Sequence, residues 1–326
     1  MSLAVGVIGA GVMGSEHARI LAEATTGARL AAVCDANSEK ARASARGGWV
    51  TTDPLELIGS DKIEAVAIAS PDATHADLVL ACIKEGKPVL CEKPLAMTAD
   101  DARAVVEAEI KASHRLVQVG YMRRFDPAYV EMKRLKDEGT IGRPVILHNV
   151  HRNPVVPGWF DGPMSVTNAF VHEIDASRWL LGSEMVSATV YSAGSGDPLL
   201  ITMETDKGEL VSTEVFMNCG YGYHVHAELV GQSGTLQTIT PRSVMQNVSG
   251  VQSGAFPDNW IPRFRPAYAA QLASWVRSVR EQKPGEGASA WDGYLTTRIA
   301  EEIVVAMTRG GQARLATEAT PAFYRD

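Results

Sequence analysis

The stretch that decides the fold is Leu3-Ala4-Val5-Gly6-Val7-Ile8-Gly9-Ala10-Gly11-Val12-Met13-Gly14. Residues 4–8 are an apolar run of the length of one buried strand, and residues 12–24 carry a helical pattern. Between them lies a Gly-x-Gly-x-x-Gly turn. A lone match to that pattern is weak, but here it follows a strand, opens a helix and begins a βαβ series, which is the context the motif requires. The three glycines then do different things. Gly9 makes the tight turn, Gly11 lets a pyrophosphate approach the backbone, and Gly14 lets helix pack closely on strand. With Val12 and Met13 at the helix start, the turn offers unpaired N–H groups and the positive end of the helix dipole to phosphates. A plain glycine turn is the bland alternative, and nothing in that alternative explains the context.

Outward from the turn, strands and helices alternate. Strands are predicted over 30–34, 65–69, 89–91 and 116–119, and helices over 38–45, 54–58, 74–85 and 99–112. Thr98, with Asp101 three residues on, reads as the cap of the last helix. Strands separated by helices pair in parallel, so residues 1–120 are expected to form a doubly wound Rossmann sheet that binds NAD. After Gly120 the pattern changes. Asp126-Pro127 is a helix start, a strand is predicted near 145–150, a Pro/Gly-rich loop over 153–163 and a helix over about 166–181. Residues 187–248 then read as successive strands with turn glycines at Gly194, Gly196, Gly208, Gly220, Gly231 and Gly234. Strands without intervening helices make a mainly antiparallel sheet. Two helices, near 268–280 and 293–307, complete an α+β domain over 121–326.

Bulk composition agrees and excludes several classes. A chain of 326 residues with 45% apolar residues builds two cores. Its net charge of −7 is interspersed and forms no basic stripe, so nucleic acid is not an expected partner. No run is long enough to cross a bilayer, and no basic-then-apolar leader opens the chain, so no membrane partner is expected either. Cys34, Cys82, Cys91 and Cys219 have neither disulfide-framework nor metal spacing, and three of them, in strand- or helix-like runs, read as small buried hydrophobes. A reducing, cytoplasmic setting is the expectation.

Asp35 ends the second strand, 21 positions after Gly14. A carboxylate there accepts both ribose hydroxyls of an adenosine and repels a 2′-phosphate, and no arginine follows to offset that repulsion. NAD rather than NADP is therefore expected. Ligands of parallel sheets lie beyond the carboxyl ends of the strands. Three polar segments fall there: Ser70-Pro71-Asp72, Glu92-Lys93-Pro94 and Tyr121-Met122-Arg123-Arg124. Lys93, set between a buried strand and a proline, reads equally as a turn lysine or a functional one.

These segments resemble the glucose-fructose oxidoreductase / inositol dehydrogenase / MocA family over nearly the whole chain. The resemblance rests on residues 9–14, Ser70-Pro71 with His75, Cys91-Glu92-Lys93-Pro94-Leu95 and Gly120-Tyr121-Met122-Arg123-Arg124-Phe125-Asp126-Pro127. It continues in His151-Arg152-Asn153-Pro154, His172-Glu173-Ile174-Asp175 and Trp179-Leu180-Leu181-Gly182. Within the family, the segment after Gly120 and the His-Arg-Asn-Pro stretch look most like bacterial inositol 2-dehydrogenases. The resemblance implies that Lys93 binds and polarises the reacting hydroxyl, often beside a cis Lys-Pro bond, and that His172 is the catalytic base. It implies that His151, Asn153, Arg123 and Tyr268 contact substrate, and that Ser70, Pro71, His75, Glu92 and Lys93 join the glycine turn around NAD. A homotetramer built through the C-terminal sheets is also implied.

Helical spacing supports part of this. Asn168, His172, Asp175 and Trp179 fall on one face, with Phe170, Ile174 and Leu181 opposite. An imidazole suits the proton transfer that alcohol oxidation needs, and an ammonium stabilises the developing alkoxide. A hydrogen-bonded core histidine is the bland alternative for His172. One departure stands out: many family members carry an aspartate four residues before this histidine, where this chain has Asn168. Either substrate preference differs or another carboxylate, such as Asp175, takes over its role. Metal is not expected, because His148 and His151 face opposite ways on a strand, and His224 with His226 lack a third ligand. The readings left open are an NAD-dependent dehydrogenase of a cyclic polyol such as myo-inositol, one acting on a pyranose sugar, or a non-catalytic dinucleotide-binding sensor.

Overall fold

The computed structural model describes residues 2–193, 196–239 and 244–325. Gly194, expected in a turn, lies outside the described residues. The chain forms two compact units. The first comprises Met1–Phe125, Pro266–Arg298 and Ala319–Asp326, and the second Asp126–Arg265 and Ile299–Glu318.

In the first unit, six parallel strands are β1 (Leu3–Ile8), β2 (Ala28–Cys34), β3 (Trp49–Thr51), β4 (Ala65–Ile68), β5 (Val89–Cys91) and β6 (Val117–Val119), in the order β6-β5-β4-β1-β2-β3. Strands β1, β4, β5 and β6 are buried along their whole length, as strands covered on both faces must be. The helices are α1 (Val12–Glu23), α2 (Ser38–Ser44), α3 (Pro54–Gly59), α4 (His75–Lys84) and α5 (Ala99–Ala112). Their starts follow from sequence. Asn37 and Asp53 accept two backbone N–H bonds each, and Thr98 accepts from Asp101 at 3.1 Å. The strand order reverses between β1 and β4, so the crevice for a ligand opens there.

In the second unit, α6 (Pro127–Asp137) precedes β7 (Pro144–Arg152) and α7 (Val171–Leu181). The sheet continues with β8 (Met185–Ser192), β9 (Leu199–Thr205), β10 (Leu210–Phe216), β11 (His224–Gly231) and β12 (Thr235–Gln237). A hairpin of β13 (Gln246–Val248) and β14 (Val251–Ser253) stands apart. Two long helices follow, α8 (Trp260–Glu281) and α9 (Ala290–Arg309), with β15 (Ala288–Ser289) between them and β16 (Gln312–Arg314) after them. The large sheet runs β12-β11-β7-β10-β9-β8-β16, antiparallel except for β7 with β10. Strand β15 adds antiparallel to β6, which is why part of the late chain belongs with the first unit.

Two local features differ from the expectation. Strand β7 runs two residues further, to Arg152. The segment before α7, Ser165–Phe170, is π-helical rather than α-helical, and a π turn alters the phase of side chains across it.

Candidate active site

In the first unit the glycine turn has the expected geometry. Gly9 has φ +94°, a region that strains residues with a Cβ. A Cβ on Gly14 would lie 1.9 Å from the Gly9 carbonyl oxygen, so α1 packs on the turn at backbone distance. A Cβ on Gly11 would meet nothing within 4 Å, and Val12 is 62% exposed. Gly11 is also the N-cap of α1 and supplies no side-chain bond to the first helical amides. The helix start is therefore open, uncapped by a side chain and accessible to an anionic group. Asp35 stands beside it, fixed by the N–H groups of Ala10 (2.7 Å to Oδ2) and Asn37 (2.8 Å to Oδ1). These residues fit a dinucleotide whose pyrophosphate lies at Gly11 and whose ribose reaches Asp35.

Around the strand ends, backbone bonds hold the loops in series: Gly9 N to Cys34 O, Ala69 N to Ile8 O, Glu92 N to Ile68 O and Gly120 N to Cys91 O. Ser70 Oγ lies 2.6 Å from Thr74 Oγ1, and Pro71 precedes the 3₁₀ turn Asp72–Thr74. His75 turns inward, with Nδ1 2.7 Å from the Pro94 carbonyl and Nε2 3.0 Å from that of Ser70. It ties the loop after β4 to the loop that carries Lys93. The Lys93-Pro94 bond is cis, and Lys93 is half-buried. Glu92 also turns inward: its Oε1 lies 2.7 Å from His17 Nε2 of α1, and His17 meets the Tyr268 ring edge-on at 5.9 Å. Gly120 leaves room for this carboxylate, since a Cβ there would come within 2.9 Å of it. Arg123 is buried in the 3₁₀ turn Met122–Phe125. Burial pushes the Cys34 thiol up to about 11 and Cys82 up to about 12, and holds Cys91 well above its ordinary value. None of these three is a thiolate nucleophile at neutral pH.

In the second unit, His151 near the end of β7 lies against the first turn of α7. The His151 and His172 rings are 6.5 Å apart between centroids, and Tyr223 stands edge-on to His151 at 6.1 Å. His151 Nδ1 lies 3.0 Å from both carboxylate oxygens of Glu173, whose side chain is 0% exposed. Asn153 follows His151; its Oδ1 is buried and has no hydrogen-bond partner among the described residues, so it remains an acceptor. Asn168 and His172 are half-buried. Asp175 is fully buried, and every other residue of α7 is buried too except His172 and Trp179, its neighbours on the same face of the helix.

Helix phase alone does not single out Glu173. A glutamate between His172 and Ile174, next to the histidine the resemblance marks, is its one signal. Likewise Asp126, expected only to start α6, makes no cap bond and instead pairs with buried Arg263 through two bonds of 2.9 and 3.1 Å. Among the described residues, no group of three or more His, Cys, Asp or Glu side chains is placed to hold a metal ion. Among them, too, no helix is long and apolar enough to cross a membrane.

A doubly wound parallel sheet with an open glycine turn defines a dinucleotide-binding α/β protein. Its second unit is built on a mainly antiparallel sheet and brings the His151 and His172 rings together. The chain belongs to the Gfo/Idh/MocA family: the oxidoreductase-family NAD-binding Rossmann fold matches residues 3–121, and the GFO/IDH/MocA C-terminal domain matches residues 129–237. It is 45% identical to inositol 2-dehydrogenase 1 of Saccharopolyspora erythraea, over 99% of each chain. It is 39% identical to inositol 2-dehydrogenase of Klebsiella pneumoniae, over 100% of each. Among solved structures it matches myo-inositol dehydrogenase from Lactobacillus casei in complex with NAD(H) and myo-inositol, with a TM-score of 0.95, 32% identity and 100% coverage of both chains.

Proposed function

We propose that this protein is an NAD-dependent dehydrogenase that oxidises a secondary alcohol of a cyclic polyol such as myo-inositol, with Lys93 and His172 as its catalytic pair. The observation that carries the reading is the likeness, across the full chain, to inositol 2-dehydrogenases that share its NAD-binding family. NAD, when bound, accepts the hydride. The chain's own groups handle the proton and the developing charge. His172 takes the hydroxyl proton, and the Lys93 ammonium stabilises the alkoxide. Arg123, His151, Asn153, Asn168, Asp175 and Tyr268 orient the ring. His75 and Glu92 act as ties that hold the Lys93 loop, and Gly9, Gly11, Val12, Met13, Gly14, Asp35, Ser70 and Pro71 hold the cofactor.

Reduced-nicotinamide absorbance with a polyol and sugar panel tests this reading. Turnover of myo-inositol with NAD and weak turnover with NADP is expected. Turnover of a pyranose alone would move the substrate class, and NAD binding with no turnover of any alcohol would make the protein a sensor.

Self-association is part of the proposal. Tyr191 of β8 and its register partner Leu200 of β9 are 59% and 47% exposed, and Leu210 of β10 is 49% exposed. Apolar side chains on an open sheet face favour a homo-oligomer, a tetramer by family likeness, in the cytoplasm. Light scattering at the mass of one chain would remove that part.

A further inference from the structure

We propose that Glu173 is a positioning residue that fixes the tautomer of His151 and thereby makes this histidine a reader of substrate hydroxyl donors. The inference rests on the second unit being the polyol site. The Glu173 side chain is fully buried and His151 is 3% exposed, and Nδ1 sits 3.0 Å from each carboxylate oxygen. An ionised carboxylate only accepts, so the Nδ1 position carries the hydrogen, and in the neutral form of that tautomer Nε2 is the acceptor. Nε2 lies on the far side of the ring from the carboxylate. The ring itself is held by the edge of Tyr223 and lies 6.5 Å from His172. A histidine locked in this way accepts a hydrogen bond from an alcohol and gains nothing from a group that lacks the hydrogen.

The chemistry gives Glu173 a specificity role distinct from catalysis. Behind metal-ligating imidazoles such a carboxylate fixes ring orientation, and its loss costs about 10- to 100-fold in affinity or activity, so a loss of that order is expected here. Interactions made equally in ground and transition states appear in KM rather than kcat. Glu173 also neighbours His172 in sequence, so one turn of α7 positions both imidazoles.

Three proteins test the proposal: the wild type, Glu173→Gln and Glu173→Leu, each checked for thermal melting and NAD affinity. Glutamine retains an oxygen that accepts from Nδ1–H, whereas leucine does not. In nitrogen-15 correlation spectra, wild type and Glu173→Gln should show the Nδ1–H tautomer at His151, and Glu173→Leu a population of the Nε2–H form. With myo-inositol, Glu173→Leu should raise KM by about 10- to 100-fold with little change in kcat, and Glu173→Gln should recover most of it. Discrimination against a deoxy-inositol lacking one hydroxyl should collapse only in Glu173→Leu. An Nε2–H or imidazolium signature in the wild type overturns the proposal, as does an unchanged KM in a folded, NAD-binding Glu173→Leu. The spectra do not depend on turnover, so absent polyol oxidation in the wild type would refute the substrate reading while leaving the tautomer result to decide this one.

Discussion

Gly11→Ala separates cofactor binding from folding more cleanly than any other single change. Gly11 has φ −72° and ψ −163°, a backbone conformation open to any residue, and a Cβ there meets no atom within 4 Å. Replacing a glycine at such a site stabilises a fold by about 0.4–1 kcal/mol through the unfolded chain. The same methyl, however, stands where a pyrophosphate must reach the amides at the start of α1. A hydrogen bond to a charged group contributes about 1.5–3 kcal/mol, so displacing one weakens NAD roughly 10- to 10²-fold. Gly14→Ala behaves oppositely. A carbon–oxygen contact needs about 3.3 Å against the 1.9 Å available, so α1 must retreat by about 1.4 Å from the turn. Overpacking of this kind costs about 1–3 kcal/mol and displaces the helix start as well. Titration calorimetry with NAD and thermal denaturation check both. Gly11→Ala should melt at or above the wild type and bind NAD at least tenfold more weakly, whereas Gly14→Ala should lose stability and binding together. Wild-type NAD affinity in Gly11→Ala would refute the placement of the pyrophosphate.

Further expectations follow from the same geometry. His172→Ala should lower kcat by about 10²–10⁴-fold with NAD affinity nearly intact, by stopped-flow and calorimetry, and equal loss of both would make His172 structural. Lys93→Ala should likewise depress kcat strongly, and a near-wild-type kcat would remove it from the chemistry. Asn168→Asp should change the order of kcat/KM across a polyol panel, and an unchanged order would show that this position does not set substrate choice. Burial holds the Glu109 carboxyl above its ordinary value of 4.5, against bonds from Tyr324 and from the Val117 and Leu116 amides. A carboxyl raised in the folded state contributes its stability at low pH and loses it as pH rises through the folded value. Melting temperature should therefore fall with pH less steeply in Glu109→Gln than in the wild type, and equal slopes would contradict this.

Much of the fold was legible because its signals are local. Apolar runs, with Thr98 as the cap of the last helix, mark the first unit's elements to within a residue or two. The conformation of the glycine turn and the place of Asp35 beside it could be read because both follow from spacing along one βαβ unit. The short strands β3, β15 and β16 were not foreseen. Strands of two or three residues carry no periodicity of their own, and pairing partners distant in sequence create them. The same reason hid the Glu173–His151 and Asp126–Arg263 pairs, which join residues 22 and 137 positions apart. The π-helical turn before α7 limits the helical wheel in another way. Phase reasoning assumes one period, and Asn168 lies in the π turn whereas His172, Asp175 and Trp179 lie in α7.

The central claim is that one ammonium and one imidazole meet at a single alcohol oxygen. A crystal structure of the protein with NAD and myo-inositol tests it most directly. The expected result places Lys93 Nζ and a His172 ring nitrogen both within roughly 3.2 Å of the same hydroxyl oxygen, on the carbon that faces the nicotinamide. A bound polyol touched by only one of the two side chains at its reacting carbon would contradict the mechanism.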